Sequence, residues 1–80
     1  MPYIDKKRRE DLGRYGVPQN SGELNYRITQ VISEYLQNKG ESYQTYNDIL
    51  GALDGAGKEL YERKIKDYER IKMQENGDVY

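Results

Sequence analysis

The chain has 80 residues, with 13 Lys plus Arg, 14 Asp plus Glu and a formal charge of -1. It contains no Cys, His, Trp or Phe. One domain is therefore the expectation. A disulfide framework, a thiol nucleophile, a Cys- or His-ligated metal site and histidine acid/base chemistry are all excluded, as is a domain-wide basic field for long nucleic acid. Leu, Ile and Val supply fewer than a fifth of the residues, but nine Tyr add ring area. The reading is an ordered chain with a thin core. Small chains with thin cores gain stability from disulfides, metals or self-association, and here self-association is left. No apolar leader and no membrane-length apolar stretch is visible, so a soluble cytoplasmic protein is expected.

Residues 1–4 are expected to lie extended against the body. Asp5 can cap a short helix that runs to Leu12 and stops at Gly13, and this helix carries the basic run Lys6-Lys7-Arg8-Arg9. Residues 13–21 are rich in Gly, Pro, Asn and Ser and read as a loop. The spacing predicts a helix over 22–38. Leu24, Ile28, Val31, Ile32, Tyr35 and Leu36 form one stripe; Asn20 or Ser21 is the cap, Glu23 suits the first turn, and Gly40 is the stop.

A longer helix is predicted over 45–74, with Thr45 as its cap and 75–80 as a tail opened by Asn76-Gly77. Its apolar positions include Ile49, Leu50, Leu53, Ala56, Leu60, Tyr61, Tyr68 and Ile71. Gly51, Gly55 and Gly57 sit inside, so a continuous helix with a soft spot near Gly55-Gly57 is expected. Glu59/Arg63 and Glu62/Lys66 are spaced as ion pairs. The fold class is thus all-α: a short N-terminal helix and a helical hairpin of unequal arms, docked termini, all within residues 1–80. The longer arm exceeds the shorter by roughly 16 Å. Leu53, Ala56, Leu60, Ile65, Tyr68 and Ile71 are therefore expected to form a homo-oligomer interface.

Several strings together resemble a family of small uncharacterised proteins of tailed phages and bacteria. They are Met1-Pro2-Tyr3-Ile4, Gly22-Glu23-Leu24-Asn25-Tyr26, Tyr46 to Leu53 (YNDILGAL), Glu59-Leu60-Tyr61 and Asn76 to Tyr80 (NGDVY). The resemblance covers nearly the whole chain apart from 5–21. It implies a compact phage-type protein and brings no catalytic residue. Gly55 and Gly57 depart from the more ordinary helix of the relatives.

The tyrosine surplus suggests binding surfaces, because Tyr offers a flat ring and a hydroxyl at low entropic cost. The plain alternative is half-buried helix packing by Tyr26, Tyr35, Tyr61 and Tyr68. Tyr43 and Tyr46, with Thr45 and Asn47, flank a predicted helix N-terminus that could hold an anion. Arg8, Arg9 and Arg14 could contact phosphates, or could simply be a solvated face beside Glu10 and Asp11. Together with Tyr26 these are the candidate ligand contacts. Pro2 at the start evokes tautomerases that use an N-terminal proline as base. Their fold opens with a strand, and five consecutive charges from Asp5 to Arg9 make a poor one. No catalytic residue, metal site or cofactor is expected. The leading expectation is a non-enzymatic oligomer that sequesters a small nucleotide-like ligand, such as a host immune signal, at its seams. The alternative is an interaction module that inhibits or adapts a host or phage protein.

Overall fold

A computed structural model describes residues 4–13 and 16–79. Of the extended arm expected at residues 1–4, residues 1–3 lie outside the described residues, as do Arg14 and the terminal Tyr80. Helix α1 spans Lys6–Leu12, α2 spans Ser21–Lys39, α3 spans Tyr43–Leu60 and α4 spans Lys66–Asn76; a π-helical turn, Tyr61–Ile65, links α3 to α4. The described residues are otherwise turns and loops, so the all-helical expectation holds.

Local chemistry sets most of the boundaries. Asp5 caps α1, its side chain accepting from the Arg8 N–H at 2.8 Å. Gly13 ends the helix at φ 52, a conformation that favours glycine, and its N–H donates to Arg9 O. Asn20 caps α2 by accepting from the Glu23 N–H at 2.9 Å, and Gly40 closes it at φ 79.

The start of the long helical run differs from expectation. The cap is Ser42, not Thr45: Ser42 Oγ accepts from the Thr45 N–H at 3.1 Å, and the two hydroxyls are also 3.1 Å apart. The helix therefore begins at Tyr43, and Thr45 is a buried residue of its first turn. Two hydroxyl residues three apart compete for one role, and the earlier one wins because it also ties down the later one. The run ends at Asn76 rather than 74. There the Gly77 N–H donates to Met73 O at 2.8 Å, with Gly77 at φ 84.

The irregularity in the run is also displaced. Gly51, Gly55 and Gly57 lie in regular α-helix. The π turn comes four residues later, where the Lys66 N–H donates to Tyr61 O. The expected pairs Glu59–Arg63 and Glu62–Lys66 form at 3.9 and 3.5 Å, and Asp54–Lys58 adds a third at 2.9 Å. All three are exposed, so each contributes little.

The chain falls into two compact units, residues 1–45 and 46–80. In the first unit Leu12 is the only fully buried apolar residue among the described residues, at 1 % exposure, with Glu23 and Thr45 the buried polar ones. Gly16 closes over it: its N–H donates to Leu12 O at 2.7 Å. A Cβ on Gly16 would stand 2.8 Å from Leu12 C and Cα and closer still to Leu12 O. Arg27 of α2 donates to the Gly16 carbonyl oxygen. In the second unit every described residue except Ile49 is exposed. Among the described residues no helix is long and apolar enough to cross a membrane.

Candidate functional site

Three places draw the candidate residues. The first is the junction of α1 and α2. Arg8 reaches Glu23 with two hydrogen bonds, Nε to Oε2 and Nη2 to Oε1, each 2.8 Å. Glu23 also accepts from the Gln19 N–H at 2.9 Å and more distantly from Asn20 Nδ2 at 3.4 Å. Glu23 as a residue is 5 % exposed, and it sits in the first turn of α2, where the helix dipole favours negative charge. The Arg8 hydrogen bonds, then the Gln19 N–H, hold the carboxyl well below its ordinary value of 4.5, at about 2. The same pairing raises Arg8.

This corrects one expectation. Arg8 is not a free phosphate ligand; its planar fork is matched to a carboxylate of its own chain. Arg9 is half-buried, with its Nε shielded from solvent and without a hydrogen-bond partner among the described residues. Tyr26 lies half-buried on α2. Arg14 is outside the described residues.

The second place is the start of α3. Tyr43 is 87 % exposed and heads the helix, while Thr45 is 5 % exposed and engaged with Ser42 through both its N–H and its hydroxyl. Tyr46 and Asn47 are exposed, and both stand inside the helix rather than at its end. The Thr45 hydroxyl and N–H, two of the groups expected to meet an anion at this helix start, are engaged with Ser42.

The third place is the face of the second unit. Leu53, Ala56, Leu60, Ile65, Tyr68 and Ile71 are all exposed, as are Leu50, Tyr61 and Met73. The Lys72 ammonium stands 5.5 Å from the centre of the Tyr68 ring. Tyr61 donates its hydroxyl to Glu69 at 3.4 Å. A shallow groove over Gly57 is lined by Leu53, Asp54, Lys58, Tyr61 and Glu62. Among the described residues no group of His, Cys, Asp or Glu is placed to hold a metal ion.

Sequence reasoning missed the Arg8–Glu23 clamp, the Arg27–Gly16 contact and the Ser42 cap. Asn20-x-x-Glu23 carried a usable signal, since a cap followed three residues later by Glu is a capping-box spacing. Nothing local marks Arg8, fifteen residues earlier, as the partner of Glu23.

No curated protein and no solved structure matches this chain. One family model does, over residues 1–79, and its description is a domain of unknown function. With all but the final residue matched, the chain belongs to that family, DUF6899.

Proposed function

We propose that the chain is a non-enzymatic binding protein that assembles as a homo-oligomer and acts by occupying a protein partner of host or phage. The observation that carries this reading is the exposed apolar face of the second unit. Leu50 and Tyr68 are 64 % and 60 % exposed, and Leu53, Leu60 and Ile71 lie exposed on the same run. A chain with one fully buried apolar residue among its described residues, and a helical run with no cover of its own, fits a protein whose stability is completed by association. A second exposed stripe, Leu24, Ile28 and Val31 on α2, supplies a place for a different protein. The resemblance to small phage and bacterial proteins supports a partner in the host cell.

The small-ligand reading keeps Tyr43, Tyr46, Asn47 and Arg9 as exposed or partly exposed contacts, while Arg8 and Thr45 are engaged within the chain. It would place a nucleotide-like molecule at the seams between copies. Two measurements separate the readings. Light scattering at micromolar concentration is expected to give a multiple of 9.4 kDa, and a monomer refutes assembly. Incubation with cyclic oligonucleotides and cyclic ADP-ribose isomers, followed by heat release, is expected to return no bound ligand. Intact ligand recovered from the protein would replace the protein-partner reading with sequestration.

A further inference from the structure

Tyr46, Leu50, Leu53, Gly57 and Leu60 are separated by alternating steps of four and three residues. That is the seam spacing of a helix packed along another helix. The next apolar residue in the series, Ile65, comes five residues later. In an unbroken α-helix the extra residue would swing it about 100° out of line. The π turn absorbs that residue, with its hydrogen bond from the Lys66 N–H to Tyr61 O closing over five positions. Ile65 then stands where a fourth residue would stand. Tyr68, Lys72 and Glu75 follow in steps of three, four and three, and Ile49, Ala56 and Ile71 flank the seam on one side. The turn therefore joins two half-faces, the second apolar at Ile65 and Tyr68 and charged at Lys72 and Glu75, which the linear spacing leaves out of phase, into one.

We infer that this seam is the interface with a second copy of the chain running antiparallel, and that the π turn holds the two halves of the seam in line. The inference rests on the self-assembly proposed above and gives it a geometry. Charge sets the direction. From Tyr46 to Gly57 the charged residues are Asp48 and Asp54, both acidic. From Lys58 to Asn76, the end of the run, there are six bases, Lys58, Arg63, Lys64, Lys66, Arg70 and Lys72, against the five acids Glu59, Glu62, Asp67, Glu69 and Glu75, a small net positive charge. Antiparallel copies set the acidic half against the basic half, and their helix dipoles oppose. Parallel copies stack like on like.

Shape agrees with charge. Crossing the copies about the Gly57–Leu60 turn sets Gly57 opposite Leu60 of the second copy, Leu53 opposite Ile65, and Leu50 opposite Tyr68. The groove over Gly57, where a Cβ would meet open space, receives the leucine as a knob. In a parallel pair Gly57 would face Gly57 across a void. At the ends Tyr46 faces Lys72, whose ammonium already lies over an aromatic ring within its own chain, so a second cation–π contact is within its chemistry.

The chain has no cysteine, so Gln74→Cys, on the exposed end of α4, accepts a single nitroxide per chain. Antiparallel pairing in this register separates the two labels by roughly 44 Å along the axis, at 1.5 Å per residue. Parallel pairing leaves them within about 20 Å, given helix axes 8–10 Å apart. The expected result is a mass about twice 9.4 kDa with the long distance, and a return to the monomer mass in Leu60→Asp with helicity retained, since Leu60 is exposed in the single chain. A dimer with the short distance overturns the antiparallel pairing and leaves self-assembly standing. A monomer overturns both, and a mass above the dimer overturns the two-chain seam.

Discussion

Replacing Gly16 by Ala tests the small core of the first unit where it is tightest. The added methyl would sit 2.8 Å from Leu12 C and Cα and even closer to the Leu12 oxygen. These are backbone atoms at the end of α1, so no rotamer change relieves the contact. Something must move: the 2.7 Å hydrogen bond from the Gly16 N–H, the Arg27 contact to the Gly16 carbonyl, or Leu12 itself, the one fully buried apolar residue described. Overpacking of this kind destabilises by about 1–3 kcal/mol. For a domain of this size each kcal/mol lowers Tm by roughly 4–8 °C, so a loss of about 2 kcal/mol gives roughly 8–16 °C. The assay is thermal unfolding followed by circular dichroism, with amide exchange to locate the loss in α1 and α2. Gly51→Ala and Gly55→Ala are the matched comparisons. Both glycines lie within α3 facing open space, so each alanine is expected to stabilise by about 1 kcal/mol. Gly16→Ala melting with the parent, or Gly51→Ala falling with it, would refute the packing argument.

The Glu23 carboxyl, held at about 2 in the fold against an ordinary 4.5, contributes stability that is fully present above about pH 4.5 and is lost as pH falls towards 2. The first unit should therefore soften across that window in acid melts, and Glu23→Gln should be less stable at pH 7 while showing a flatter profile there; an unchanged profile would mean the clamp is not what titrates. The π turn makes a prediction that is unusual for a helix. Deleting Lys64 lets the run close as plain α-helix with Ile65 still in the seam, so the dimer mass is expected to persist. Inserting Ala after Lys64 rotates the second half-face about 100° further and is expected to dissociate it. Equal loss in both variants, measured by light scattering, would show that seam phase is irrelevant.

The features legible in the sequence are those decided within a few residues. Asp5, Asn20, Gly13 and Gly40 mark their helix ends because a cap is a contact between neighbours in the chain. The ion pairs four residues apart are legible for the same reason. Thr45 misled because Ser42 offers the same oxygen one turn earlier and engages both the N–H and the hydroxyl of Thr45. The glycines suggested a soft helix near 55–57, yet glycine lowers helix propensity without breaking a hydrogen bond, and the ladder runs through them.

By itself the sequence determined that the chain is helical, where most helices begin and end, and which greasy positions the long run carries. Tertiary structure alone decided that Arg8 pairs with Glu23, that Gly16 must be bare because Leu12 lies against it, and that a wide turn interrupts the long run at Tyr61–Ile65. The division has one cause. Hydrogen bonds and charges between near neighbours are fixed by spacing along the chain. Pairings across fifteen residues and the phase of a long helix depend on where distant atoms come to rest.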